Sequence, residues 1–244
     1  MSDYYRSIGT WVRSAPAGPV GLLVGALLAV VFAHPVRAQT ASGRVVAEAG
    51  HTSPFDAFMK MNRLQEKFAR GQSAAEYWGV MESRLGNQAG RILIKRPAKG
   101  FSDDAFRGWV MFIRAYGSAT GVGNCADCHT VPEFTDRQKH DIGTARQPVD
   151  TPSLRNLGGR KAFFRDQSAK TLEDAISRHV EQGRIARDNK GSGDQAAIGQ
   201  ISLTEEEVRK VAAFLRSLDD VERGAFRDYL VNVVVQPVEL EFSN

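Results

Sequence analysis

The sequence predicts a mostly α fold that closes with a short strand-like tail. Three observations carry this: apolar residues recur at helical spacing in several separate stretches, the clearest stretches open on Ser or Thr, and strand-like patterning enters only after Arg223. From Ser53-Pro54, residues Phe55, Phe58, Met61, Leu64 and Phe68 fall at helical spacing, with Ser53 as cap, Pro54 in the first turn and Gly71 as stop. A second helix follows Ser73 through Ala75, Tyr77, Trp78, Met81 and Leu85 to Gly86. The two read as an N-terminal helical extension, with residues 87–100 as a connector. A third helix runs from about Asp103 to Tyr116 on Phe106, Val110 and Ile113. Residues 131–170, dotted with Pro132, Gly143, Pro148, Pro152, Gly158 and Gly159, read as irregular, and so long an irregular stretch signals function. Helix 172–182 uses Leu172, Ala175, Ile176 and Val180, stops at Gly183 and leads into a Gly-rich loop, 184–200. The best signalled helix opens on a Thr204/Glu207 capping box and carries Val208, Val211, Leu215 and Leu218 on one face. Tyr229 to Phe242 reads as strand interrupted at Pro237.

With 244 residues, 42% hydrophobic and 25% charged, the chain can bury one good core or two small ones. Its formal charge of +4 includes Arg6, Arg13, Arg37 and Asp3 in the first 38 positions; without them 29 basic residues face 27 acidic ones, a balance of +2. That is too weak for a nucleic-acid surface, which needs a concentrated basic stripe. The N-terminus has the layout of an export signal: Arg6 and Arg13, then a 14-residue apolar run from Val20 to Ala33, then Val36-Arg37-Ala38. Cleavage after Ala38 is expected, which would deliver the rest across a membrane, into the periplasm in a bacterium. Retention of the segment as a membrane anchor is the alternative. Residues 39–50 read as a flexible leader.

The chemistry rests on the chain's two cysteines, which lie in Cys125-Ala126-Asp127-Cys128-His129. In a C-x-x-C-H run the thiols add to the two vinyl groups of haem, and the adjacent histidine is thereby set to bind the iron from one face. A thioredoxin-like pair would need a βαβ pattern and no histidine, a structural zinc site would need two further ligands, and a plain disulfide leaves His129 without a role. One covalent haem c, held by Cys125, Cys128 and His129, is therefore the expected cofactor.

The order Arg107-Gly108-Trp109, C-A-D-C-H, Phe134-Thr135-Asp136, His140-Asp141-Ile142-Gly143, Thr151-Pro152-Ser153-Leu154-Arg155-Asn156, Thr171-Leu172-Glu173-Asp174-Ala175 and Leu203-Thr204 through Ala213-Phe214-Leu215 resembles the C-terminal haem domain of the bacterial di-haem cytochrome c peroxidases. The resemblance covers about 105–218. It implies a cytochrome c-type helical fold around one haem, in which the helix around Phe106 to Phe112 crosses the one around Val211 to Leu218. It also implies that Arg155 serves a haem propionate. The expected division is 1–38 signal, 39–100 leader and helical extension, 101–220 cytochrome c domain, 221–244 tail. Two departures stand out. Only one haem motif is present, so the family's N-terminal peroxide site is missing, and the position where the resemblance puts an iron-binding methionine falls on Phe164. Every methionine precedes the haem motif.

For the sixth iron position the sequence offers His140 on the distal side, although hydrogen bonding is the plainer role for it. His179, on the margin of its helix face, reads first as a packing residue; His51, Met59 and Met61 would serve only if the N-terminal helices fold over the haem. No protein ligand at all is the remaining option. The favoured function is a mono-haem electron carrier between periplasmic or membrane-bound redox proteins, with no residue assigned to catalysis. The alternative is a peroxidase-like or gas-binding haem protein with an open sixth site.

Overall fold

The computed structural model describes residues 50–85, 91–117 and 119–239. The expected export segment and leader, the Gly86 stop and the last residues of the tail lie outside them. The described chain is mostly helical, as expected, with seven α-helices and two small antiparallel ribbons. Among the described residues no helix is long and apolar enough to cross a membrane.

Helix α1, Pro54–Met61, opens on a capping box in which Ser53 Oγ accepts from Asp56 N and the Asp56 carboxylate accepts from Ser53 N. It stops short of Gly71 because the Asn62 side chain donates to Phe58 O at 2.9 Å and to Lys95 O at 2.7 Å, and Arg63 turns to φ +53°. One 3₁₀ turn, Gln65–Lys67, follows. Helix α2 is Ala74–Leu85 and α3 is Asp103–Ile113. Helix α4, Leu172–Asp188, runs through the expected stop at Gly183. A Cβ there would lie 2.8 Å from Ile198 O and 3.0 Å from Ile201 O, so that glycine permits a close approach and does not end the helix. Helix α5, Asp194–Ile198, occupies part of the expected loop. Helix α6, Glu205–Arg216, keeps the Thr204/Glu207 capping box.

The tail differs more. Residues Arg223–Val231 form helix α7 before a strand, Val233–Glu239, begins. That strand, β4, pairs antiparallel with β1, Arg91–Pro97, from Arg91 opposite Glu239 to Pro97 opposite Val233. The connector thus became a strand because its partner lies far along the chain, beyond the reach of local patterning. Pro237 is tolerated because the ribbon has two strands and each is an edge. A second ribbon of β2, Lys139–His140, and β3, Val149–Asp150, lies inside the long irregular stretch.

One apolar cluster joins Phe55, Phe58, Tyr77 and Met81 from α1 and α2 to Phe106, Trp109 and Phe112 of α3, Phe134 of the irregular stretch, and Phe214 and Leu218 at α6. The Phe55 ring lies 4.9 Å from Trp109 and 5.1 Å from Phe214, centroid to centroid. Helices α3 and α6 cross at Gly108, where a Cβ would sit 2.0 Å from Lys210 O.

Candidate haem site

Cys125–Asp127 is a single 3₁₀ turn, with Cys128 N and His129 N both donating to Cys125 O at 3.3 and 2.9 Å. The turn gathers both sulfurs and the imidazole within one revolution of backbone. It is stitched to its surroundings: Gly123 N donates to Met111 O and Asn124 N to Arg114 O, each at 2.9 Å, and the Asn124 amide reaches Ala197 O at 2.9 Å. Both thiols are free and half-buried, and burial pushes each up to about 12.

His129 Nδ1 donates to Phe134 O at 2.9 Å. Burial drives its pKa down to about 4, against the opposing pull of the Phe134 and Pro152 carbonyls, and His179 lies near enough to disfavour its charge further. The ring is therefore neutral, with its Nε2 lone pair available, which is the form a metal needs. His179 has the same construction one element away. Its Nδ1 donates to Ala175 O at 2.9 Å, burial lowers its pKa, and the Phe164 ring covers it at 5.5 Å between centroids. The donor set fits a covalent haem: two sulfurs outside any disulfide and an oriented neutral imidazole in one turn, with a second oriented neutral imidazole nearby.

Residues 108–223 match the di-haem cytochrome c peroxidase family. That family binds haem c, and with the Cys125–His129 motif inside the matched region this chain is a haem redox protein. No curated protein and no solved structure matches it.

Within the peroxidase-family region the other expected site residues are placed differently from His129. His140 has both ring nitrogens on carboxylates, Nε2 to Asp136 at 2.7 Å and Nδ1 to Asp194 at 2.9 Å, so neither is left for iron. Arg155 is buried, and its guanidinium grips Asp56 through two 2.8 Å bonds while Nε donates to Pro132 O at 2.9 Å. Ahead of that region, His51 bonds Glu133 at 2.9 Å, and Met59 is packed into the core.

His179 and Asp56 carry more of the site than the sequence reading gave them. For His179 a signal existed: it falls in line with Leu172, Ile176 and Gly183, the buried stripe of α4, at steps of four, three and four residues. For Asp56 none did, since its capping role is complete without the distant arginine.

Proposed function

We propose that this protein is an exported mono-haem c-type cytochrome that passes single electrons between redox proteins, in which Cys125 and Cys128 would hold the haem and His129 and His179 would supply imidazoles to its iron. The supporting observation is the matched preparation of the two rings, each half-buried, held neutral by desolvation and fixed by an Nδ1 bond to a backbone carbonyl. Bound there, haem supplies a one-electron centre whose potential depends on its axial ligands. His179 takes the place that His140 and the open site held in the sequence reading, because His140 is consumed by Asp136 and Asp194. Phe164, at φ +63°, sets its ring 5.5 Å from that of His179, where it would stand in the way of water and small ligands.

The family match favours a second reading, a peroxidase-like enzyme, which needs an open iron position. The ferric absorption spectrum separates the two. The carrier reading expects a low-spin spectrum without the far-red charge-transfer band of methionine-bound haem. A high-spin native protein that turns over peroxide with an added electron donor would replace it.

The partner we propose is a periplasmic or membrane-bound redox protein with an acidic surface. The loop before α4 exposes Arg160, Lys161, Arg165 and Lys170, and its one acidic residue, Asp166, faces Arg178 at 3.4 Å. The loop stands beside His179 through Phe164, so docking here would bring a partner to the sixth-ligand side. Export rests on the Arg6/Arg13 leader, the Val20 to Ala33 run and Ala38. N-terminal sequencing of the fractionated protein tests it, and the same measurement reports whether a membrane anchor is kept.

A further inference from the structure

Phe134 is an aromatic residue at φ +54°, fully buried, in a region that side chains other than Asn, Asp and His rarely enter. Strain of this kind persists where the surroundings over-determine it. Here its product is visible: the carbonyl turned by that backbone is the one that accepts from His129 Nδ1. The 130–135 loop is closed on itself by Thr135 N to Thr130 O and Thr130 Oγ1 to Thr135 O, both 3.1 Å, and Tyr77 Oη receives Val131 N at 3.2 Å.

Behind the loop stands the Asp56–Arg155 pair, with side chains only 11% and 5% exposed. Arg155 gives both Nη groups to the Asp56 carboxylate, one of them also to Ser53 Oγ at 3.3 Å, and its Nε to Pro132 O. Its guanidinium lies over the Phe134 ring at 5.3 Å. A buried ion pair is weak evidence for a stability role, since well-packed apolar residues of the same volume serve as well or better. What apolar residues cannot do is hold the Pro132 carbonyl and the Phe134 ring from one rigid planar group.

We propose that Asp56 and Arg155 are positioning residues for the proximal imidazole. The α1 carboxylate fixes the guanidinium, the guanidinium fixes the loop, and the loop presents the Phe134 carbonyl to His129. This rests on the reading of His129 as the haem ligand. A carbonyl that accepts from the far nitrogen of an axial imidazole makes that imidazole a stronger donor, which favours ferric iron and lowers the potential. Helix α1 precedes the family-matched region, so part of the control of this haem comes from outside that region.

The test compares holo-protein of the wild type, Asp56→Asn, Arg155→Lys and the charge-balanced double variant Asp56→Leu/Arg155→Met. A pyridine haemochrome assay comes first; a wild type without covalent haem overturns the haem reading itself, before any potential is measured. Potentiometry and the solvent exchange of the His129 Nδ1 proton, followed by its hyperfine-shifted resonance, then read the positioning. The double variant is expected to raise the potential and to speed that exchange by about tenfold or more, with Arg155→Lys between it and wild type. Asp56→Asn shifts the potential the same way. A double variant that carries haem with wild-type potential and exchange overturns the proposal. So does a shift in Arg155→Lys with none in Asp56→Asn, which would assign Arg155 to a haem carboxylate. Should Asp56→Asn fail to fold, the double variant alone decides.

Discussion

Exchanging the His179 imidazole for a methyl group separates its packing role from its role as ligand. His179→Ala is expected to turn a low-spin ferric spectrum high-spin and to open the ferrous protein to carbon monoxide, while His140→Ala leaves the spectrum low-spin. An unchanged spectrum in His179→Ala would remove this histidine from the iron. His140 answers to pH instead. Burial works against its positive charge, but the bonds to Asp194 and Asp136 outweigh it and its pKa lies above 6.5. Its contribution to stability is therefore complete below about pH 6.5 and is lost as pH rises through the higher folded value. For Asp136, burial acts upward but the Gln138 N–H and His140 bonds prevail, and for Asp194 the His140 bond leads; both pKa values fall below 3.8. Their contributions are lost only as pH drops through those lowered values. Denaturant titrations should thus show stability declining on the alkaline side, and His140→Gln should flatten that decline. Asp56→Asn, which leaves the buried Arg155 charge unpaired, should cost about 3–5 kcal/mol by the same measurement.

At the scale of elements, the α3/α6 crossing is the most sensitive contact. Gly108→Ala puts a methyl carbon where the Lys210 carbonyl already stands, and backbone cannot swing aside as a side chain can. A loss of at least about 1–3 kcal/mol is expected. Removing the cap at the far end of that crossing, with Thr204→Ala, should cost only about 1 kcal/mol. Elements whose stabilising contacts are local were legible in the sequence: the Ser53 cap, the Thr204 capping box, the Ser73 start and the α3 and α6 faces all stand as read. Those that depend on distant partners were not. Residues 91–97 are a strand only because 233–239 arrive beside them, and Gly183 is a stop signal until Ile198 and Ile201 pack against it. The site divides the same way. Cys125, Cys128 and His129 form one local motif, whereas the Asp56–Arg155 pair joins residues 99 positions apart and is visible only once the chain has folded.

At the scale of the whole molecule, the exposed cations before α4 predict how it meets other proteins. Electron transfer to an acidic redox protein should slow as ionic strength rises, because the Debye length shrinks from ~10 Å at 0.1 M salt to ~3 Å at 1 M. Lys161→Glu/Arg165→Glu should remove that salt dependence and leave self-contained properties such as the potential near wild type. Stopped-flow kinetics against an acidic redox protein reads both. A wild-type rate indifferent to salt would shift docking to another face.

The burial of the two thiols bears on the order in which this molecule is assembled. Addition of a thiol to a vinyl group forms a sulfur–carbon bond and moves the sulfur's proton to the other vinyl carbon, and the reaction runs through the thiolate. With burial pushing Cys125 and Cys128 up to about 12 from an ordinary 9.0, the folded chain at neutral pH holds less thiolate than an open chain. The expected order is therefore haem first and folding second: joining is favoured while the 125–129 turn is still loose, before closure buries the thiols. Reduced apo-protein allowed to fold before haem is supplied should acquire little covalent haem at pH 7, and the same protein supplied with haem in denaturant and then refolded should acquire much more. Equal yields by both routes would mean that the turn opens freely in the folded state.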